Sequence, residues 1–379
     1  MKILMFSDTY GTVTTTFIRN EVKYFMENAE IVYVAMEIVK NEEGVKIYQL
    51  PYIENFFTRK VRWKRWQNDK QCSFVNLKYS KQLNKIIEKE RPDVIHCHFA
   101  YEAIKIIQNI SPQKKIPVFV HFHGYGASQM LRKKSYVETI KSCLTKSFVH
   151  PIFVSNYIEE TLKKIKINVD KGNVLRCGID LNKFFPNTQN KNKDEIIFLQ
   201  VSSLAEKKGH EYTIRAFTKF FKKNEIYKEK VRIIFTGEGD RKEALIQLVR
   251  ELDLQSNVKF IGNVSPDEAV VLMNEADVYV HHSIESSNGD KEGVPTSIME
   301  AMAMKLPILS SFHAGISELV EHGVNGLLCN EKDIETYAQQ IMEILHWKEL
   351  NINRDKVERL YSNKNHNLQL ERLYNETIR

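Results

Sequence analysis

The sequence predicts an α/β fold of two facing, doubly wound, Rossmann-like domains. Short runs of β-branched and aromatic residues alternate with stretches of helical periodicity along the chain, the mark of mostly parallel sheets flanked by helices. At 379 residues the chain exceeds one ordinary domain, so two are expected. Residues 186–195 contain no large apolar side chain and read as the linker.

The first strand, residues 2–6, is apolar apart from Lys2, as a central strand of a parallel sheet should be. Its apolar run is far too short for a signal peptide. Further strands are expected at 31–35, 94–98, 118–122, 151–154 and 173–176, with helices at 17–28, 74–89 and 138–145 among them. These fill a first domain, 1–185. The alternation resumes with strands at 196–201, 231–235, 258–260, 277–281 and 307–309, giving a second domain, 196–355. A helix at 295–304 carries Pro295 in its first turn, where the missing N–H costs nothing. Ligands of such sheets sit beyond the C-terminal strand ends, so the cleft between the domains is the expected active site.

Charge is divided unevenly. Residues 1–185 carry 30 Lys+Arg against 18 Asp+Glu, net +12, while the rest carry 25 against 30, net −5. The densest basic patch is residues 59–66, where Arg59, Lys60, Arg62, Lys64 and Arg65 interleave with Trp63 and Trp66. It reads either as a segment that lies on an anionic membrane surface or as a solvated basic helix with its tryptophans packed inward. No zinc-finger spacing or RNP-like motif supports nucleic-acid binding. The five cysteines, Cys72, Cys97, Cys143, Cys177 and Cys329, are scattered and never spaced C-x-x-C. Reduced thiols in a cytoplasmic protein are therefore expected. No run of about 18 apolar residues is present to span a membrane.

The most informative stretch is 292–300, in which Glu292 and Glu300 are separated by seven residues. Glu292 falls in a loop before a helix, and Glu300 one turn in, on the face of Thr296. The helix start between them presents unpaired N–H groups and a positive dipole end, which favour a phosphate. Two carboxylates for hydroxyls on either side of a phosphate outline a nucleotide-sugar site.

Two His-x-His pairs, His96/His98 and His121/His123, lie on strands, where residues two apart point the same way and can chelate. No acidic or cysteine partner stands at a diagnostic spacing. No metal is expected, and strand-end packing is the reading for His96, His98 and His121.

Further stretches carry a family likeness: His121-Phe122-His123-Gly124, Cys177-Gly178-Ile179-Asp180, residues 201–209 (VSSLAEKKG), Gly237-Glu238-Gly239, and Glu292 to Met304. In this order and over nearly the whole length, the chain resembles the glycosyltransferase family 4 group of retaining GT-B enzymes, within it the exopolysaccharide and lipopolysaccharide branch. The resemblance implies transfer of a hexose-type sugar from a UDP- or GDP-sugar to a saccharide acceptor, and the basic first domain suggests that this acceptor is lipid-pyrophosphate-linked at the inner face of the plasma membrane, or else the end of an anionic polysaccharide. It implies no cofactor and no metal, and a last helix, about 356–379, returning to the first domain.

Residue by residue, it gives Lys208 as a cation for the departing diphosphate and His123 as a hydrogen-bond partner of the donor sugar. Glu292, Gly293, Val294 and Pro295 would hold sugar hydroxyls, Thr296 and Ser297 the phosphates, and Glu300 the ribose. Gly237, Glu238 and Gly239 would line the nucleoside pocket, and Gly11 would let the backbone approach diphosphate or acceptor. The family's usual arginine is replaced by Ser203, and its Ser-Glu-Thr-Phe pattern by Thr14-Thr15-Thr16-Phe17. Lys207, Arg176 or the amides of 295–297 are the available substitutes for that arginine. A catalytically degenerate GT-B partner and a GT-B nucleotide-sugar epimerase are the alternative readings.

Overall fold

A computed structural model describes residues 1–11, 16–40, 44–50, 74–111, 113–187, 194–348 and 350–378. The basic patch at 59–66, Thr14, Thr15, Cys72 and residues 188–193 of the expected linker lie outside them. The chain forms two compact units, Met1–Cys177 with His366–Arg379, and Gly178–Asn365.

In the first unit β1 (Lys2–Tyr10), α1 (Thr16–Asn28), β2 (Glu30–Ile38), β3 (Lys46–Gln49), α2 (Leu77–Glu90), β4 (Val94–Cys97), α3 (Ala100–Asn109), β5 (Val118–Phe122), α4 (Lys134–Leu144), β6 (Val149–Phe153), α5 (Asn156–Lys164) and β7 (Asn173–Val174) follow one another. The strands are parallel, in the order β3-β2-β1-β4-β5-β6-β7. Two differences from the sequence reading stand out. The first strand does not stop at Phe6, because Ser7, Thr9 and Tyr10 pair on with β2 as far as Ile38. The edge strand β3, half-buried and polar, carries no apolar run to reveal it.

In the second unit β8 (Ile196–Val201), α6 (His210–Lys223), β9 (Val231–Thr236), α7 (Lys242–Glu251), β10 (Val258–Phe260), α8 (Pro266–Glu275), β11 (Val278–His281), α9 (Thr296–Ala303), β12 (Ile308–Ser311), α10 (Ile316–Leu319), β13 (Gly326–Cys329), α11 (Ile334–Ile344) and α12 (Asn351–Leu360) build a parallel sheet in the order β10-β9-β8-β11-β12-β13. Its core shows how periodicity becomes packing. Ile214, Phe217, Phe220 and Phe221 of α6 recur on one face and bury against Phe198, Ile233 and Val280 of the sheet, each worth about 1.5–3 kcal/mol of burial.

The expected continuous helix from 356 is two helices. α12 ends at Leu360, and α13 (Asn363–Ile378) restarts after Ser362. The break is used for pairing: Ile179 N donates to Tyr361 O at 2.8 Å, and Asn363 N to Ile179 O at 2.9 Å. From His366 onward α13 belongs to the first unit, where Leu370 and Tyr374 sit in the core with Phe25 and Phe119. Cys97, Cys143, Cys177 and Cys329 are free and buried. Among the described residues no helix is long and apolar enough to cross a membrane.

Candidate active site

Each sheet reverses its winding at one place, between β1 and β4 in the first unit and between β8 and β11 in the second. Crevices beyond such points are where doubly wound sheets take ligands.

In the second unit the loop after β8 meets the loop after β11. Gly209 makes the approach feasible: its φ is +63°, and a Cβ there would stand 1.6 Å from His282 O, so any side chain would push the loops apart. Gln200 Nε2 donates to Lys208 O at 3.0 Å, and Ile284 N donates to Lys207 O at 3.0 Å. With the backbone of both lysines pinned, Lys208 Nζ lies 2.8 Å from Glu292 Oε1. Lys207 Nζ lies 2.9 Å from Asp290 Oδ2 and 3.9 Å from Glu292 Oε1. Burial pushes the Glu292 carboxyl up, but Lys208 and then Lys207 outweigh it and hold it at about 2. Glu292 is thus a buried, ionised carboxylate between two ammonium groups.

Its backbone is held by residues that the sequence did not single out. Glu292 N donates to His313 Nε2 at 3.1 Å. That leaves the His313 proton on Nδ1, which donates to Glu331 Oε1 at 2.6 Å, and Glu331 Oε2 accepts from Glu285 N at 2.8 Å. His313 and Glu331 stand 21 and 39 residues from Glu292, so no local pattern marks them. His313→Ala strips the Glu292 amide of its acceptor inside the protein. A loss of about 1–3 kcal/mol is expected, read as a lower midpoint in thermal unfolding, and an unchanged midpoint would show that the histidine carries no such load.

Gly293 O accepts from Gly315 N at 3.1 Å, Val294 is half-buried, and Pro295 is the N-cap of α9, with no side chain bonding the first-turn amides. Those amides are available to an anion. Thr296 and Ser297 lie half-buried in the first turn, and the nearby Tyr279 hydroxyl bonds the Val201 backbone. Glu300 follows one turn on, half-buried, and burial pushes its carboxyl up to about 7 against the opposing charge of Lys183.

Ser203 is exposed. Gly237 N donates to Gly262 O at 2.6 Å, and Leu204 N donates to Glu238 O at 3.0 Å, so the glycine loop braces residues 202–204. The Glu238 carboxylate is taken by Lys242 at 2.8 and 3.1 Å. Gly239 packs on the Leu204 backbone, where a Cβ would meet Leu204 O at 2.4 Å. Of the substitutes for the missing arginine, Lys207 stands beside Lys208, whereas Arg176 belongs to the first unit.

In the first unit Gly11 follows β1 with φ +84°, and a Cβ would stand 2.2 Å from Lys40 O. Packing alone requires glycine there. His123 follows β5 between the rings of Phe17 and Phe99, with centroids 4.5 and 5.4 Å away; Cys177 Sγ is 3.7 Å from its Nδ1, and its Nε2 has no hydrogen-bond partner among the described residues. Burial pushes it down to about 3, so it is a neutral imidazole. Beside it His96, His98 and His121 are fully buried.

The family model described as "Glycosyltransferase Family 4" matches residues 40–183, and that described as "Glycosyl transferases group 1" matches residues 182–367. The chain is 26% identical over 383 residues to the amylovoran biosynthesis glycosyltransferase AmsK of Erwinia amylovora, covering 91% of this chain and 90% of that protein. It is 28% identical over 269 residues to the putative colanic acid biosynthesis glycosyltransferase WcaL of Escherichia coli (strain K12), covering 70% and 64%. The fold matches that of Anabaena HepE in complex with UDP and glucose, with a TM-score of 0.77, 16% identity and 98% of each chain covered.

Proposed function

As a member of glycosyltransferase family 4 with the GT-B fold, this chain is a glycosyltransferase, and we propose that it moves a hexose-type sugar from a nucleotide-sugar to a saccharide acceptor with retention of configuration, in polysaccharide synthesis. UDP-sugar is the preferred donor, with GDP-sugar second, and the acceptor is a lipid-linked or polysaccharide chain end. The observation that carries this reading is the convergence on Glu292. Two ammonium groups and an ionised carboxylate stand together in the loops after β8 and β11, at the sheet's reversal point. The uncapped start of α9 follows three residues on. Cations and amides suit a diphosphate, and the carboxylate suits sugar hydroxyls. HepE, which shares the fold and was solved with UDP and glucose, supports the choice of UDP, and the names of AmsK and WcaL support polysaccharide synthesis.

In this scheme Lys208, Lys207 and the α9 amides take up the charge that grows on the diphosphate as its bond to the sugar breaks, which is where electrostatic stabilisation counts most. Glu292 accepts from sugar hydroxyls. The acceptor hydroxyl attacks the anomeric carbon on the face the diphosphate leaves. Its proton passes to the departing phosphate oxygen, so no protein nucleophile is required. His123, neutral and with Nε2 unpartnered, is the first unit's hydrogen-bonding group for the donor sugar.

The test is thermal unfolding with UDP, GDP, ADP and their sugars, followed by the coupling constant of the new anomeric proton. A nucleotide at a hundredfold its Kd stabilises the fold by about 2.7 kcal/mol. Stabilisation by uridine compounds, equal with and without magnesium because the lysines supply the charge, and an α-linked product from an α-linked donor are the expected results. Stabilisation by no nucleotide, or an inverted product, would overturn the reading.

A further inference from the structure

The first unit contains a polar cluster of which the transfer scheme uses only His123. His96, His98, His121 and His123 project from the ends of β4 and β5, with ring centroids 4.6 Å apart for His96/His98, 5.5 Å for His96/His121 and 4.2 Å for His121/His123. His96, His98 and His121 are wholly shielded from solvent. Among the described residues, five buried ring nitrogens outside the transfer scheme have no hydrogen-bond partner: His96 Nε2, both of His98 and both of His121. Glu21, from α1, is buried with them, and its Oε2 also has no partner, lying 3.7 Å from His98 Nδ1. A buried polar atom left unpaired costs about 1–3 kcal/mol. Each neutral imidazole offers one lone pair, so His96, His98 and the Glu21 carboxylate can together face a group that accepts lone pairs.

We propose that Glu21, His96 and His98 hold one divalent transition-metal ion of the zinc class, joining α1 to the end of β4. Their ligand atoms lie within 4.8 Å of one another. At zinc–ligand distances of about 2.0–2.2 Å a tetrahedral site needs its ligand atoms some 3.4 Å apart, so rotation of these side chains brings them to three corners of a tetrahedron, with water at the fourth. The ligand set, two imidazoles and a carboxylate, is one that zinc takes.

The surroundings orient it as well. The Tyr374 hydroxyl occupies His96 Nδ1, leaving Nε2 to face the cluster. His366 Nδ1 donates to Arg176 O at 2.8 Å while its Nε2 lies 3.0 Å from Glu21 Oε1, steering the other oxygen inward. Such outer contacts are what hold metal ligands in place. The ion's role is structural. Both Tyr374 and His366 belong to α13, so the site also anchors the last helix of the chain to the sheet it covers.

The experiment uses the full chain without a histidine tag, loaded with zinc or cobalt(II) and passed through a desalting column. One ion per chain by elemental analysis, and a visible cobalt spectrum of the tetrahedral kind, are expected. Glu21→Gln and His98→Ala should weaken metal affinity by at least about tenfold, while His346→Ala, which removes an exposed histidine, should leave it unchanged. Should the buried variants fail to fold, the cobalt spectrum and stoichiometry of the unaltered chain decide alone. No retained ion, or a retained ion lost on His346→Ala, overturns the proposal.

Discussion

Replacing Lys208 by alanine is expected to lower sugar transfer by a factor on the order of 10²–10³, the usual cost of removing one fixed donor from a charge-stabilising site. The variant also changes the protein before any substrate binds. Glu292 stays buried, and its nearest remaining cation is Lys207, 3.9 Å away, so its carboxyl moves up from about 2. The linkage has a definite sign. A carboxyl held at about 2 against 4.5 when free contributes stability that is complete above 4.5 and fades as pH falls toward 2, about 3 kcal/mol at its fullest. Lys208→Ala should therefore melt well below the parent at pH 7, and the gap should narrow as pH falls below 4.5. Lys208→Arg separates the roles, since it keeps the charge for Glu292 but alters its reach to the phosphate. A variant of Lys208 that transfers at the parental rate would remove this lysine from the charge-stabilising role.

Glu300 should behave in the opposite sense. Its carboxyl is pushed up to about 7 by burial, so the folded state is most favoured below 4.5, and this contribution is lost as pH rises through 7. Glu300→Gln removes a charge that the fold resists, and at pH 8 the variant should melt a few degrees above the parent. In the ribose role proposed for Glu300, the ionised carboxylate is the form that would accept from both hydroxyls. Nucleotide affinity should therefore climb with pH through about 7 in the parent and stay flat in the variant. Glu300→Ala should weaken nucleotide binding by about 10–100-fold, the worth of hydrogen bonds to a charged group. Greater stability together with weaker binding is the signature of a residue kept for function. Equal affinity in Glu300→Ala would take the ribose role away from this position.

These expectations show how unevenly the site was written into the sequence. Glu292, Pro295, Thr296 and Glu300 are neighbours along the chain, and the loop-to-helix geometry that orders them is local, so they could be read in advance. The same holds for most strands, whose apolar runs reflect burial on both faces. Where burial is partial the signal fades, as for the polar edge strand β3. Where a tertiary hydrogen bond intervenes it misleads, as at Tyr361 and Ser362, where pairing with Ile179 divides one expected helix into two.

What the sequence by itself determined is therefore the alternating α/β architecture and the loop-to-helix course from Glu292 to Glu300, because each is fixed by periodicity or by neighbours within a few residues. Only the tertiary structure decided which charges meet. The contact between Lys208 and Glu292 spans 84 residues and depends on Gly209 letting two loops touch. The His313–Glu331 support of Glu292 comes from elements after β12 and β13. The acidic partner that the histidine pairs lack along the chain, Glu21, reaches them from α1. Electrostatic and coordinating groups act through distances of about 2–4 Å in space, and a parallel sheet brings such groups together from segments far apart in the chain.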